Sequence, residues 1–135
     1  MPIRRIAIAL AASAALLTGP ALAKRERLSP EQELAKMLEG REAGKPVSCI
    51  STYTTRGLKI IDKTALVYDA GSVIYVNRPK HPEVLDDDDI LVTRQFGSQL
   101  CRLDMVSMHE RSGMWYNGFV ALNDFVPYRK VARLD

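Results

Sequence analysis

Residues 64–78 read TALVYDAGSVIYVNR, and this stretch predicts the centre of the fold. Two runs rich in β-branched and aromatic residues stand on either side of Gly71-Ser72, a pair suited to a two-residue hairpin turn. Pairing across that turn places Tyr68 opposite Tyr75 on one face. The sequence therefore predicts an antiparallel hairpin here.

A second hairpin is predicted at residues 90–105, where two further β-rich runs flank Gly97-Ser98. Arg94 falls on the predicted inward face and would need an acidic partner there. The opposite face collects mainly polar residues, with Leu91 and Leu100 as exceptions. The predicted inward face carries Ile90, Val92, Phe96, Cys101, Leu103 and Met105.

A helix is predicted before the strands, over about residues 29–40. Ser29 is placed as the N-cap, Pro30 as the first helical residue and Gln32 as the capping-box partner. Short strands with Gly-containing turns then follow over about residues 47–129. The predicted class is α+β, dominated by β: one N-terminal helix, then a curled antiparallel sheet or small barrel of about six to eight strands.

Residues 1–23 have the pattern of a secretory signal peptide. Arg4-Arg5 precede a short apolar run, and Ala21-Leu22-Ala23 supplies the small residues that a signal peptidase reads. The apolar run is shorter than the roughly 20 residues of a membrane span. We therefore expect cleavage between Ala23 and Lys24, and a single small domain, residues 24–135, that is periplasmic or secreted and has no membrane anchor.

The charge balance gives no sign of a nucleic-acid partner. The chain has 19 Lys and Arg against 16 Asp and Glu, and removing Arg4 and Arg5 leaves 17 against 16. A near-neutral domain lacks the basic surface that binds phosphate backbones.

Two cysteines, Cys49 and Cys101, are most simply a disulfide in an exported protein. The bond would close a loop of roughly fifty residues and stabilise the fold by about 4 kcal/mol. The alternative is a redox pair, or a metal site that also uses His81 and His109. Neither the close spacing of redox cysteines nor that of structural zinc ligands occurs here.

Seven segments in a fixed order resemble a family of small exported proteins of Gram-negative bacteria. The resemblance covers nearly all of residues 24–135. The family is catalogued as a domain of unknown function, so the resemblance implies export but no activity. The segments are Gly40-Arg41, residues 44–50 (GKPVSCI), Ile61-Asp62, residues 66–68 (LVY), residues 74–78 (IYVNR), Leu100-Cys101 and residues 124–128 (DFVPY).

Candidates for chemistry are few. The acidic run 86–89 lacks the alternating ligands of a calcium loop and is interpreted as a solvated loop, with His81 exposed nearby. His109 and Glu110 are adjacent in a predicted strand, so their side chains face opposite sides. The sequence contains no Gly-x-Ser-x-Gly elbow, no His-Glu-x-x-His helix and no glycine-rich phosphate loop. We expect no catalytic residues, no cofactor and no bound metal.

Three functions stay open at this point. The favoured one is a non-catalytic envelope module that binds a protein or a cell-wall ligand through its sheet face. The alternatives are a purely structural accessory whose aromatic residues are all core, and an enzyme or metal-binding protein that uses His109 and Glu110. The predicted ligand face comprises Tyr68, Tyr75, Trp115 and Tyr116; Tyr53 and Tyr128 are the other aromatic residues whose exposure separates the first two functions.

Overall fold

A computed structural model describes residues 26–132 of the chain. The predicted signal peptide and its cleavage site at Ala23 and Lys24 lie outside the described residues. One short 3-10 helix, Pro82–Val84, lies between the fifth and sixth strands. The other elements are α1 (Pro30–Met37), β1 (Arg41–Ala43), β2 (Cys49–Ser51), β3 (Gly57–Ile61), β4 (Ala65–Asp69), β5 (Val73–Asn77), β6 (Asp89–Arg94), β7 (Gln99–Cys101), β8 (Met105–Glu110), β9 (Tyr116–Val120) and β10 (Phe125–Lys130).

Helix α1 begins as the sequence predicts. The Ser29 hydroxyl accepts a hydrogen bond from the backbone N–H of Gln32, and the Gln32 side chain accepts one from the N–H of Ser29. This reciprocal pair satisfies two N–H groups that the first turn leaves free. The helix ends at Met37, three residues before the predicted end at residue 40, and Leu34 is its buried residue.

The strands form three antiparallel sheets. Their orders are β1-β10-β5-β4-β3 in a five-stranded sheet, β6-β8-β9 in a three-stranded sheet and β2-β7 in a strand pair. The hairpin of β4 and β5 is confirmed, with Tyr68 opposite Tyr75. Gly71 at its turn has a φ of +81°, which suits the first central position of a two-residue turn.

The five-stranded sheet is covered on both faces, so the chain forms three layers. Along β4, Ala65 and Val67 pack with Leu34 of α1, whereas Leu66 and Tyr68 belong to a second core. That second core includes inward side chains of the three-stranded sheet. The β-dominated class with one helix is confirmed. The barrel is wrong, because the sheets formed by residues 26–132 do not close on themselves, and these residues contain ten strands where six to eight were predicted.

The second predicted hairpin is wrong. Strand β6 pairs with β8, so that Arg94 lies opposite Met105, and β7 pairs with β2 instead. A Gly-Ser turn signal does not determine which distant strand a run will pair with. Because the predicted partner strand was wrong, the predicted inward face was wrong as well. The supposed inward residues Phe96, Leu103 and Met105 are exposed, while Leu100 is buried. Arg94 is likewise exposed and needs no buried acid.

The predicted disulfide is confirmed. Cys49 and Cys101 are bonded and lie opposite each other in β2 and β7, with 4.0 Å between their Cα atoms. The bond spans 52 residues of sequence. Ile50 of β2 and Leu100 of β7 lie opposite each other, and both side chains pack in the second core. Both thiols are consumed, so neither cysteine is free to act as a metal ligand or redox group while this bond is intact.

Candidate protein-docking face

The three-stranded sheet β6-β8-β9 has one face turned into the core and one turned away from it. Leu91, Val106, Met108 and Val120 form the inward face. The strand alternation therefore sends the residues between them outward. We call this opposite side the outer face; its large exposed side chains are Val92, Met105, Tyr116 and Phe119, and the turn before β9 exposes Met114 and Trp115 next to it.

The register brings these side chains into neighbouring rows. Val92 and Phe119 both lie opposite Ser107, one on each side of the central strand β8. Tyr116 lies opposite His109, and their rings meet edge to face with centroids 5.9 Å apart. All three strands therefore contribute large apolar side chains to the outer face, with Ser107 between Val92 and Phe119 and with Met105 opposite Arg94.

The extent of exposure is unusual for a sheet. Phe119 is 58 %, Met105 63 % and Tyr116 65 % exposed. An antiparallel sheet with one solvated face ordinarily carries polar residues there. Taking about 200 Å² for one large side chain, the four exposed fractions present on the order of 450 Å². That is the size of the largest apolar patch on a typical monomeric protein, about 300–600 Å², and such a patch is often functional.

The turn between β8 and β9 holds two large exposed side chains in place next to the outer face. Met114 has a φ of +56°, a left-handed conformation that costs free energy for a residue with a side chain. Its N–H donates to the carbonyl of Glu110 at 2.8 Å. Gly113 leaves room for the indole of Trp115, since a Cβ at position 113 would overlap that ring. The turn thus presents a methionine and a tryptophan in a fixed arrangement.

Arg94 lies at the edge of the outer face, opposite Met105, and two further polar side chains within the face are already hydrogen-bonded. The Met114 carbonyl lies 3.1 Å from Nδ1 of His109 and can only accept, so the neutral ring carries its proton on Nδ1. Nε2 then accepts from the Ser107 hydroxyl at 3.0 Å. The Val92 carbonyl is a second acceptor for that hydroxyl, at 3.3 Å. This chain of bonds fixes the imidazole beneath the aromatic side chains.

The four residues of the predicted ligand face do not share one surface. Tyr68 is buried and Tyr75 half-buried, and both pack with the second core on the five-stranded sheet. Tyr116 belongs to the outer face, whereas the exposed Trp115 lies opposite Glu110, the residue after His109 in β8. The sequence prediction omitted Phe119, Met105 and Val92 as surface residues, although strand β8 alternates apolar and polar positions in a way that could have indicated its faces.

The outer face is the surface from which a function can be inferred. Comparison of the chain with protein-family models, with curated proteins and with solved structures found no match. Within residues 26–132, no helix is long and apolar enough to cross a bilayer.

The residues proposed for metal or acid-base chemistry lie apart. His109 faces the outer side of β8. Glu110 is the next residue along the strand, so its side chain faces the opposite side. His81 is exposed, as predicted, and its Nδ1 lies 3.2 Å from Glu83. Within the described part of the chain, one group of acids has carboxylate oxygens within 4.8 Å of one another: Asp62, Asp86 and Asp87. Lys63 already lies 3.4 Å from the Asp62 carboxylate.

The acidic run is not wholly a solvated loop. Asp89 begins β6 and is buried, in contrast to the exposed residues 86–88. Its carboxylate accepts a hydrogen bond from the side-chain amide of Asn117 at 2.9 Å. The interaction links the two edge strands β6 and β9, so this acid has a structural role that its position in a charged run concealed.

Proposed function

We propose that the protein is a non-catalytic binding module of the bacterial cell envelope that docks a partner protein on its outer face. The observation that carries the proposal is the set of large apolar side chains at outward positions of all three strands. Keeping such residues in contact with water gains no folding free energy, since their burial is what stabilises proteins. If a partner protein covers these side chains, their removal from water contributes to the free energy of binding.

The chemistry of the outer face favours a protein over a sugar. Methionine, tyrosine, tryptophan and phenylalanine are enriched in the cores of protein interfaces. A sugar needs several polar groups to bond its hydroxyls, but Ser107 and His109 already bond each other and the backbone, so that Arg94 at the edge is the polar group that the face has left to offer. The unbranched side chains of Met105 and Met114 can adapt to an apolar partner surface.

A purely structural role explains the outer face less well. The second core is complete without it, with Tyr68 and Phe125 packed edge to face at a centroid distance of 5.7 Å. Aromatic residues that only fill a core would be buried like these two. Trp115, Tyr116 and Phe119 are exposed instead.

Export is part of the same proposal. The signal-peptide pattern of residues 1–23 and the Cys49–Cys101 bond both fit an oxidising compartment outside the cytoplasm. We accordingly propose a periplasmic or secreted location and membership of the family of small exported proteins that the chain resembles.

Site-specific photo-crosslinking in intact cells tests the docking face. A benzophenone amino acid is placed at Phe119 or Tyr116, and at Tyr53, an exposed aromatic outside the outer face, as the matched control. We expect one adduct of the same mass from both face positions, none from Tyr53, and loss of the adduct when Met105→Lys is added. Equal labelling from Tyr53, or no adduct from either face position, would refute the proposal.

A second candidate function, a hydrolase, is favoured by one observation. The Ser107 hydroxyl lies 3.0 Å from Nε2 of His109, and the Met114 carbonyl orients the imidazole, which is the arrangement of an activated serine and its base. A fluorophosphonate would then label Ser107, and His109→Ala would abolish the labelling. No labelling at millimolar reagent excludes this candidate and leaves the docking module.

A further inference from the structure

A cavity of about 240 Å³ lies away from the outer face, between the disulfide-linked strand pair, β4 and the end of β6. Its apolar wall is formed by Ile50, Leu100 and Tyr68, all of the second core. Its polar wall includes Thr55, Thr93 and Gln95. The volume is several times that of a water molecule and is below that of a drug-sized pocket, which suits a small ligand.

The hydroxyl of Tyr68 is the most informative group in the wall. Tyr68 is 5 % exposed, and its hydroxyl has no hydrogen-bond partner among residues 26–132. Every fully enclosed side-chain polar atom of those residues does have a partner, so this hydroxyl must keep some access to solvent. Tyr68 is one of the residues that line the cavity, and the cavity is the route of access that we assign to its hydroxyl. A buried hydroxyl without a protein partner calls for a water or a ligand.

The other polar groups determine what a ligand must offer. The Thr52 hydroxyl donates to the Ser98 carbonyl at 3.0 Å, and the Thr55 hydroxyl donates to the Ser51 carbonyl at 2.9 Å. With their hydrogens committed, both oxygens remain as acceptors. Tyr68 remains as a donor, and Thr93 and Gln95 can each donate and accept. No charged side chain lines the cavity, so a charged ligand would lose its hydration without compensation.

We propose that this cavity binds a small neutral ligand that carries a secondary amide with a methyl group, as in an acetamido group. The amide carbonyl accepts from the Tyr68 hydroxyl, and the amide N–H donates to a threonine oxygen. The methyl group packs on Ile50 and Leu100. The site does not depend on the outer face. The protein would therefore have two binding sites, one for the small ligand and one for the docking partner of the proposed function.

Titration of the isotope-labelled protein, followed by NMR amide shifts, tests the site with defined probes. N-acetylglucosamine and N-acetylalaninamide represent the two sources of an acetamido group, an amino sugar and a peptide, while glucose lacks the amide. We expect saturable shifts at residues 93, 95 and 100 with the first or second probe, and none with glucose. Whichever probe binds identifies the source of the ligand.

A pair of matched variants isolates the Tyr68 hydroxyl. Tyr68→Phe removes the donor and keeps the ring that packs on Phe125. Tyr75→Phe makes the same change in the residue opposite, which does not line the cavity. We expect the first variant to weaken binding about three- to tenfold, as for loss of one neutral hydrogen bond, and the second to leave it unchanged.

Three results would overturn the proposal. The first is the absence of saturable shifts with both amide probes up to 50 mM, a concentration on the order of the weakest useful affinity. The second is that glucose causes shifts of the same size. The third is that Tyr68→Phe binds the amide probe as tightly as the unmodified protein does. The first result would mean that water alone fills the cavity. None of these outcomes bears on photo-crosslinking at the outer face, so the two proposals fail separately.

Discussion

Asn77 joins the end of β5 to the segment before β10 through a single buried side chain. Its amide N–H₂ donates to the Asn123 carbonyl at 2.6 Å, and its amide oxygen accepts from the Asn123 N–H at 3.2 Å. The residue is fully buried. We expect Asn77→Ala to lower the free energy of unfolding by about 2 kcal/mol, because both backbone groups of Asn123 lose their partner.

A change at the other end of the same pair is the control. Asn123→Ala keeps the two backbone groups that bond Asn77 and removes an exposed bond from its amide to the Arg78 carbonyl. Chemical denaturation should show a loss below about 1 kcal/mol for this variant. Equal losses from the two changes would contradict the role assigned to Asn77.

Met114 is the residue at which the fold and the proposed function conflict. Its left-handed φ costs about 1 kcal/mol, yet it exposes one apolar side chain next to the outer face and places a carbonyl against His109. We expect Met114→Gly to raise the free energy of unfolding by up to about 1 kcal/mol, measured by urea titration, while it weakens docking. A less stable protein would show that the conformation is not strained.

Tyr68 gives the protein a predicted sensitivity to alkali. Burial raises the pKa of its phenol, because the phenolate is poorly solvated in the core. In the unfolded chain the phenol ionises near pH 10. Above about that pH the unfolded state releases a proton that the folded state retains, so the free energy of unfolding falls as pH rises toward the folded pKa.

Urea unfolding at about pH 8.5 and pH 11, on either side of the ordinary tyrosine pKa, measures this effect. Tyr68→Phe should lose less stability between the two pH values than the unmodified protein does. Tyr75→Phe should behave like the unmodified protein, since it retains Tyr68. An identical pH dependence in all three proteins would rule out Tyr68 as the titrating group.

At the scale of elements, the strand pair β2-β7 depends on its disulfide. Each strand has only three residues, and the bond closes a separation of 52 residues. Reduction should lower the free energy of unfolding by about 4 kcal/mol in the chain-entropy model. Denaturation with and without dithiothreitol measures the difference. The Cys49→Ala/Cys101→Ala double variant should show no effect of the reductant, and a reductant effect of the same size there would disprove the interpretation.

The two hairpin predictions show which elements local sequence can determine. The β4-β5 hairpin follows from the turn between adjacent runs, and Tyr68 lies opposite Tyr75 as expected. Residues 97–98 have the same turn chemistry, but β7 pairs with β2, about fifty residues earlier in the chain. Local propensity carries no information about such distant partners. The helix start was likewise local and correct, because its capping box lies within four residues.

At the scale of the whole molecule, the layers explain why the docking face could not be predicted. The five-stranded sheet is covered by α1 on one side and by the three-stranded sheet on the other. This places Tyr68 inside although it was expected on a ligand face. It also leaves the far side of the three-stranded sheet uncovered, and only the pairing of β6 with β8 reveals which residues lie there.

The central claim is that this uncovered side is a protein interface, and the dissociation constant of the complex tests it most directly. The partner is the protein recovered by crosslinking at Phe119, purified and titrated against three forms of the chain. We predict that Phe119→Ala weakens binding about thirtyfold or more, as an interface hot spot does, and that Tyr53→Ala changes it less than twofold. Both variants should retain the stability of the unmodified protein, since both side chains are exposed. A dissociation constant that Phe119→Ala leaves within twofold would contradict the claim.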